Sequence, residues 1–293
     1  MSVKKRFDHA FQHAPLLPVT TDSKYVLISD CHRGTGTTSD DFLKNQHLYF
    51  AALKHYYKTG FTYIELGDGD ELWENRNIED IIEVHNNIFW LLSLFYKDKR
   101  LYMLYGNHDM VKQKQNFARK KCASYFCTDT QNMQTLFPDL TFYEGIILYS
   151  FTNPDTKLYL THGHQASFFN STLWPAARFL VRYVWHPLTL FGISDPTSAA
   201  KNYRIKTKCQ RKADYWARQQ NKILITGHTH RPVLSKENQH YFNTGSCVHP
   251  RCITCIELEN GSLTLVKWTI NTKPDNTLYV TRERLSDPVV VIH

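Results

Sequence analysis

Short apolar runs in this sequence end at residues able to bind a metal ion, and this happens five times along the chain. The first run is followed by Asp30 and His32, and the second by Asp68. The full set at the five run ends is Asp30, His32, Asp68, Asn107 with His108 and Asp109, His162, and His228 with His230. Nitrogen and oxygen ligands without thiolate favour a divalent ion such as Mn, Fe or Zn. Two Asp, one Asn and four His are enough ligands for two such ions.

Two neighbouring cations would perform hydrolytic chemistry. They would lower the pKa of a bridging water, giving a hydroxide near neutral pH, and would polarise a phosphoryl oxygen. His108 directly follows Asn107, so it can face a substrate without binding metal and can donate a proton to the leaving oxygen. Asp109 or Asp68 would orient that imidazole. The pattern therefore predicts hydrolysis of a phosphate ester or anhydride, with His108, Asp68 and Asp109 as catalytic residues.

The five runs have the composition of buried strands. Each contains four or five mostly apolar residues and ends near a Gly or a metal-binding residue; the runs are 25–29, 63–66, 101–105, 157–161 and 222–226. Helices predicted over 40–57 and 78–95 alternate with the first three, which is typical of a parallel α/β sheet. Short alternating runs after residue 226 indicate a mainly antiparallel sheet, and residues 1–24 are predicted to be irregular. In such sheets ligands bind beyond the carboxyl ends of the strands.

A long insertion at 165–222 is predicted to form a helical cap over these strand ends, within a single domain of residues 1–293. Its first half is rich in aromatic residues, and Pro175 and Pro187 suit a helix start and end. A structural core and a lipid-binding groove are both open interpretations of that half. Its second half, 198–222, carries eight lysines and arginines against Asp214, while the whole chain has a net charge of +8.

The basic half of the insertion is predicted to contact an anionic substrate, although a merely solvated helix face is the alternative. Lys201, Arg204 and Lys208 recur at helical spacing and would form one positive stripe. The residues predicted to bind the phosphorylated substrate are Arg33, Arg178, Arg182, Lys201, Arg204 and Lys208.

Length and composition narrow the class of protein. The chain has 293 residues, no run approaching the ~18 apolar residues of a membrane span, and no apolar signal core after its basic N-terminus. Seven cysteines at scattered positions suit a reducing compartment. Cys252 and Cys255 have no second pair to complete a zinc site, so a structural role is expected. The predicted location is the cytoplasm. Peripheral contact with the inner face of the membrane is compatible with that location.

The ordered set of run-end residues resembles the calcineurin-like metallophosphoesterases over about residues 25–247. The resemblance implies a two-sheet β-sandwich flanked by helices, an α/β fold of the αββα type. It also implies two divalent ions, with Mn expected first and Fe or Zn as alternatives. By this resemblance one ion takes Asp30, His32, Asp68 and His230, the other takes Asp68, Asn107, His162 and His228, and His108 is the catalytic histidine. Residues 243–246 are similar to a family segment that closes the site.

Within that family, the segment 67–73 and the insertion are similar to the bacterial UDP-2,3-diacylglucosamine pyrophosphatases. Those enzymes cleave a pyrophosphate in a lipid precursor of endotoxin, and their major form carries Arg where this chain has His108. The resemblance implies a nucleotide- or lipid-linked substrate such as UDP-diacylglucosamine, with apolar cap walls for acyl chains and cations for the diphosphate.

Other functions stay open at this stage. The positive stripe would equally serve a nuclease or nucleic-acid phosphodiesterase, whose binding weakens steeply with salt. A binding module that kept the fold and lost the chemistry is a further alternative, although no predicted ligand is missing. The sequence contains no Gly-x-Ser-x-Gly and no Walker-type lysine loop, so it does not predict a serine hydrolase or a P-loop enzyme.

Overall fold

The computed structural model describes residues 1–185 and 202–292, and within these ranges the strands form an eight-stranded sheet, a five-stranded sheet and a two-stranded hairpin. The larger sheet combines parallel and antiparallel strands. Its parallel strands are β2 (Tyr25–Ile28), β3 (Thr62–Leu66), β4 (Leu101–Leu104) and β7 (Phe142–Tyr143). Its antiparallel strands are β12 (Cys252–Glu259), β13 (Ser262–Thr272), β14 (Leu278–Arg284) and β15 (Val289–Val290).

The smaller sheet brings together strands that are distant in sequence. Its order is β1 (Leu16–Val19), β8 (Gly145–Ser150), β9 (Lys157–Thr161), β10 (Ile223–Thr226) and β11 (Tyr241–Asn243), with β8 and β9 antiparallel and the other neighbours parallel. The hairpin consists of β5 (Ser124–Cys127) and β6 (Asn132–Thr135). Because β2, β3 and β4 are parallel, as are β9 and β10, each set of carboxyl ends lies at one edge of its sheet.

The two large sheets face each other across an apolar core. Leu27, Ile64 and Leu66 of the larger sheet belong to the same buried cluster as Leu160 and Ile225 of the smaller one. Strand β2 is buried along its whole length, and β3 is buried beyond its first residue. A strand covered on both sides reads as a nearly continuous apolar run, which is why the sequence signal for these strands is strong.

Helices cover the outer faces of both sheets. The larger sheet is covered by α2 (Gln46–Lys58), α3 (Ile78–Val84) and α4 (Asn86–Lys97), and the smaller sheet by α1 (Val3–Gln12) and α8 (Tyr203–Gln219). The short helix α5 (Phe117–Lys121) follows β4. The layer order is therefore helix, sheet, sheet, helix. The predicted αββα sandwich is confirmed.

The helix boundaries differ from the sequence-based ones for local reasons. The helix predicted over 40–57 begins only at Gln46, after a 3-10 turn at Leu43–Asn45. The helix predicted over 78–95 divides at His85, which ends α3 and precedes α4. The His85 ring is completely buried, and its Nε2 lies 3.1 Å from Asp40 Oδ2. This contact holds the break between α3 and α4 against Asp40, which lies just before the 3-10 turn that leads into α2.

The prediction that residues 1–24 are irregular is wrong. They contain α1 and β1, and Ser2 caps α1 by accepting a hydrogen bond from the backbone N–H of Lys5. Phe7 of α1 is fully buried and stacks on Trp216 of α8, with the ring centroids 5.0 Å apart. Only a narrow stripe of α1 is apolar, so its sequence lacks the broad apolar periodicity that predicts a helix.

The structure separates the predicted insertion into two parts. Residues 167–185, the cap segment, contain α6 (Phe168–Ser171), α7 (Trp174–Leu180) and a wider helical turn at Val181–Trp185. Pro175 lies in the first turn of α7, as predicted. The basic part forms α8, a layer of the sandwich rather than a cap. Pro187 and Lys201 lie outside the described residues. Among the helices that the structure describes, none is long and apolar enough to cross a membrane.

Candidate metal centre

The loops after the strands are joined to one another by backbone hydrogen bonds. The N–H of Asp30 donates to the carbonyl of Gly67 at 3.1 Å, and the N–H of His32 donates to the carbonyl of Asp68 at 2.9 Å. On the smaller sheet, the N–H of Gly227 donates to the carbonyl of His162 at 3.0 Å. The segment 243–246 closes this arrangement, because its first residue, Asn, donates through Nδ2 to the Gly227 carbonyl at 2.6 Å. The predicted ligands are therefore held by a connected set of loops.

The backbone at these ligands is strained. Residues with a side chain seldom adopt a positive φ angle, and each one that does costs on the order of 1 kcal/mol or more. Positive φ angles occur at Asp30 (52°), His32 (48°), Asp68 (50°), His228 (66°) and His230 (52°). Five predicted metal ligands thus share a conformation that the surrounding structure must enforce. Strain concentrated in this way is typical of a functional site.

Asp30, His32 and His230 form one group of potential ligands, with one ligand atom from each lying within 4.8 Å of the others. His230 Nε2 is 3.1 Å from Asp30 Oδ1, and His32 Nε2 is 3.9 Å from the same oxygen. Burial would raise the pKa of Asp30, but the adjacent His230 and His162 lower it to about 2. The carboxylate is therefore ionised, as a metal ligand must be.

Asp68, His162 and His228 form a second group with the same close spacing. His162 Nε2 lies 3.0 Å from Asp68 Oδ2, while its Nδ1 donates to the carbonyl of Leu66 at 2.8 Å. Burial and the neighbouring His162 lower the pKa of His228 to about 3. A neutral imidazole keeps a lone pair available for a metal.

Asp68 lies between the two groups. Its Oδ2 is 3.0 Å from His162 Nε2 in one group and 3.8 Å from His32 Nε2 in the other. Its Oδ1 accepts a hydrogen bond from the backbone N–H of His108 at 2.8 Å. Beside this loop, Asn107 Oδ1 is a buried oxygen with no hydrogen-bond partner among the described residues. Clustered carboxylates, imidazoles and an unpaired amide oxygen fit divalent cations.

The His108 ring is oriented by Glu71, a residue to which the sequence assigned no role. His108 Nδ1 lies 2.8 Å from Glu71 Oε1 and 2.7 Å from Oε2, and the ring stacks on Trp73 at a centroid distance of 4.2 Å. Burial alone would lower the pKa of His108, but the Glu71 and Asp68 carboxylates together outweigh it and the pKa lies above its ordinary value. The prediction that Asp109 or Asp68 orients the His108 ring is therefore corrected. Asp68 accepts a hydrogen bond from the backbone N–H of His108, whereas the carboxylate beside the ring nitrogen is Glu71.

Asp109 belongs to a buried charge network beneath the loops. Its carboxylate accepts backbone N–H bonds from Gly106, Asp68 and Gly69 and lies 2.6 Å from Lys112 Nζ. The network members, all nearly or completely buried, are Arg33, Glu65, Asp70, Asp109 and Lys112. A catalytic role for Asp109 in contact with the substrate does not fit this position.

The prediction that Arg33 binds the substrate is wrong. Its side chain is 0% exposed, and its guanidinium binds Asp70 at 2.7 Å and Glu65 at 2.9 and 3.0 Å. The reason is that Glu65 lies within an otherwise apolar buried strand and needs a buried cation as its partner. Arg33 therefore connects the loop after β2 to strand β3 and to the loop after β3.

The other predicted substrate contacts are dispersed. Arg182 is half-buried and donates to the carbonyls of Leu72, Trp73 and Asn75, which attaches the cap segment to the loop after β3. The guanidinium of Arg178, also half-buried, lies over the Trp174 ring. Arg204 and Lys208 are exposed on α8 and line a surface cavity of about 1100 Å³. The described residues around that cavity include none of the predicted metal ligands.

Two basic side chains outside the predicted set, Lys206 and Arg231, interact electrostatically with each other, and Lys206 also interacts with Asp30. Burial lowers the pKa of Lys206, and the charge of Arg231 lowers it further, while Asp30 of the metal centre opposes both. Arg231 directly follows His230 in the chain. The spacing of the basic stripe pointed to the solvent face of α8 and so missed Lys206, which is half-buried.

The chain is similar to known proteins both in sequence and in fold. The family model for calcineurin-like phosphoesterases matches residues 23–232. Similar solved structures include Vps29 of Chaetomium thermophilum (11% identity, 89% of this chain and 96% of that chain, TM-score 0.40). They also include a mutant cold-active protein tyrosine phosphatase (16% identity, 95% and 84%, TM-score 0.44). No curated protein matches the chain. Since the family match covers more than two-thirds of its residues, the chain belongs to the calcineurin-like phosphoesterase family.

Proposed function

We propose that this protein is a phosphohydrolase that uses two divalent cations to cleave a phosphodiester or pyrophosphate bond. The observation that carries the proposal is the position of Asp68, whose Oδ2 lies within 3.0 Å of one histidine group and 3.8 Å of the other. In the proposed assignment, Asp30, His32, Asp68 and His230 hold one cation, and Asp68, Asn107, His162 and His228 hold the second. Mn is the expected metal, with Fe and Zn as alternatives.

The residues of the chain divide the work of hydrolysis between them. Bound divalent cations supply Lewis acidity and activate water for attack on phosphorus. His108, held by Glu71 and stacked on Trp73, is partly exposed and donates a proton to the leaving oxygen. The raised pKa of His108 supports this role, because it favours the protonated form of the ring that can donate a proton. Glu71 orients the ring and stabilises its charged form.

The cap segment supports a substrate with an apolar portion. Trp73 beside His108 packs against Ala177 and Val181 of the cap segment. Exposed apolar side chains recur along the same segment, namely Phe168, Leu173, Phe179, Leu180, Tyr183 and Val184. We propose a nucleotide- or lipid-linked diphosphate such as UDP-diacylglucosamine as the substrate class. A cytoplasmic protein that contacts the inner membrane face would have access to such a molecule.

A second candidate function is a nucleic-acid phosphodiesterase. It is favoured by the exposed basic residues of α8, including Arg204 and Lys208, and by the half-buried Lys206, whose charge interacts with that of Asp30. Phosphate contacts of this kind make binding fall steeply as salt rises. The lipid-linked alternative predicts instead that detergent changes activity and that salt has a smaller effect.

A substrate panel with metal analysis tests the proposal. The full chain, stripped of metal and reloaded with Mn, is assayed on a generic phosphodiester, a UDP-sugar, UDP-diacylglucosamine and single-stranded DNA. The expected result is metal-dependent hydrolysis with about two ions per chain and a preference for the lipid-linked diphosphate. A protein that holds no metal and hydrolyses nothing with added Mn would instead be a binding module.

A further inference from the structure

Asn170 of the cap segment reaches into the metal centre. It is 7% exposed, and its side-chain amide lies 3.4 Å from His228 Nε2. Helix α6 presents it there, because Ser167 caps the helix and its Oγ accepts the backbone N–H of Asn170. The cap segment therefore approaches not only the rim but also a predicted ligand. Metal ligation does not require this contact, and the sequence pattern gave no sign of it.

The other histidines show what such a contact does. A histidine that binds a metal through one ring nitrogen normally donates a hydrogen bond from the other, which fixes the ring and its tautomer. His162 directs Nδ1 to the carbonyl of Leu66 at 2.8 Å, and His32 directs Nδ1 to Glu71 at 2.8 Å. In both cases Nε2 is left for the metal. At His228, the nitrogen that lies beside a neighbouring polar group is Nε2 rather than Nδ1, so the arrangement is the reverse of that at His162 and His32.

We propose that Asn170 is a positioning residue for His228, carried by the cap segment. Its amide oxygen accepts the proton of His228 Nε2, which leaves Nδ1 to bind the cation shared with Asp68 and His162. The amide can present its oxygen in place of its nitrogen by a half-turn about its last bond. This inference rests on the proposed two-metal function and adds that one of the two sites is completed by the cap segment.

Reciprocal coupling follows from this arrangement. If the seated cap segment strengthens metal binding at one site, metal at that site must strengthen the seating of the cap segment by the same factor. Loss of a residue that orients a metal ligand typically lowers metal affinity by about 10–100-fold. The hydrogen-bond contact of the Asn170 side chain is to His228 and not to Asp30, His32 or His230, so that group should keep its affinity.

The test compares Asn170→Ala and Asn170→Asp with wild type, and Ser171→Ala is the matched control. Ser171 lies on the same helix, and its hydroxyl donates to the carbonyl of Ser167 rather than to a ligand. Mn titrations monitored by electron paramagnetic resonance resolve the two binding steps and the spin-coupled pair. Nitrogen-15 NMR of the zinc-loaded protein identifies the bound nitrogen of His228, and hydrogen exchange reports the protection of residues 168–171.

The expected result is specific to one site. Asn170→Ala should weaken one binding step about 10–100-fold and leave the other unchanged. It should also abolish the gain in hydrogen-exchange protection that metal gives residues 168–171. Asn170→Asp keeps an acceptor oxygen and should stay within a few-fold of wild type, as should Ser171→Ala. NMR should show zinc on His228 Nδ1.

Unchanged Mn affinity in Asn170→Ala, equal weakening of both steps, or zinc on His228 Nε2 would each overturn the inference. Hydrolysis and two Mn steps in wild type would then still support the proposed function. If wild type binds fewer than two Mn ions, the two-metal proposal and this inference both fail. The site-specific Mn and NMR measurements thus separate the two failures without relying on turnover.

Discussion

The strand-end loops and the cap segment meet at the same site but are built in opposite ways. The loops hold predicted metal ligands that are mostly buried, several on strained left-handed backbone, and each loop is bonded to its neighbours. The cap segment leaves large apolar side chains exposed, including Phe179 at 58% and Tyr183 at 51%. It is attached mainly through Arg182 and a small cluster around Trp73. A rigid part can fix the chemistry while an adaptable part selects the substrate.

The comparison also shows what maintains the strain in the loops. The carboxylate of Asp109 accepts N–H groups from three loop residues, and Lys112 holds that carboxylate from below. Arg33 forms buried ion pairs with Asp70 and Glu65 and so connects the loop after β2 to β3 and to the loop after β3. Many short contacts to buried charged groups can outweigh the cost of unfavourable φ angles. Within the described part of the cap segment, no ion pair of this buried kind occurs.

The largest effect is expected from Asp68→Asn, which removes a charge from the rigid part with little change in size. Turnover should fall by far more than the roughly 10²-fold typical of losing a residue that only orients a ligand, because Asp68 lies between both groups. Metal content should drop at the same time, while circular dichroism stays unchanged. The control is Asp214→Asn, which removes an α8 carboxylate paired with Arg218. Normal activity in Asp68→Asn would contradict the assigned metal centre.

A smaller loss is expected from His108→Ala. The value of kcat should fall about 10²–10⁴-fold, the usual contribution of a positioned acid, with metal content near normal. The loss should be greatest for alkyl leaving groups and small for p-nitrophenol, which departs without protonation. Glu71→Gln should reproduce part of this loss and lower the pKa of His108, since it removes one of the two carboxylates that raise that pKa. An equal loss for both leaving groups would show that His108 is not the acid.

The buried network gives a prediction about stability. Burial would lower the pKa of Lys112, but Asp109 and Asp70 raise it well above its usual value, so the ammonium stays charged. Lys112→Met leaves the buried Asp109 carboxylate without its cation and leaves Asp70 with Arg33 alone, and the free energy of unfolding should drop by about 3–5 kcal/mol. Lys236→Met removes an exposed pair with Asp287 and should cost under about 1 kcal/mol. Urea unfolding of both variants measures the difference, and equal losses would contradict a structural role for the network.

The clustering of the predicted ligands could be anticipated because these residues follow buried strands. A run such as 25–29 shows both the strand and the point where it ends, and the topology of a parallel sheet then brings the ends together. The same reasoning could not decide which acid orients His108. Asp109 is adjacent in sequence, whereas Glu71 comes from the loop after another strand, and only tertiary packing determines which carboxylate turns toward the ring.

The sequence contains a signal for the buried charge network. Glu65 interrupts an apolar strand, and a buried carboxylate requires a cation or several donors. That requirement would have pointed to a buried arginine or lysine and would have removed Arg33 from the substrate contacts. The contact of Asn170 had no comparable signal, because a single polar residue in an aromatic segment does not reveal what it faces. Local pattern thus predicts the ends of strands better than the contacts between distant segments.

The smallest expected effect comes from the adaptable part. Phe179→Ser removes an exposed ring that contacts Tyr183 at a centroid distance of 4.9 Å, so stability should change by less than about 0.5 kcal/mol. If acyl chains lie against the cap segment, kcat/KM for a lipid-linked diphosphate should fall about tenfold, because burying one or two methylenes contributes about 0.8 kcal/mol each. Hydrolysis of a small phosphodiester should be unchanged. Phe151→Ser, which removes a similarly exposed ring outside the cap segment, is the control. Equal effects on both substrates would mean that the cap segment does not distinguish them, and the division of roles between loops and cap segment would fail.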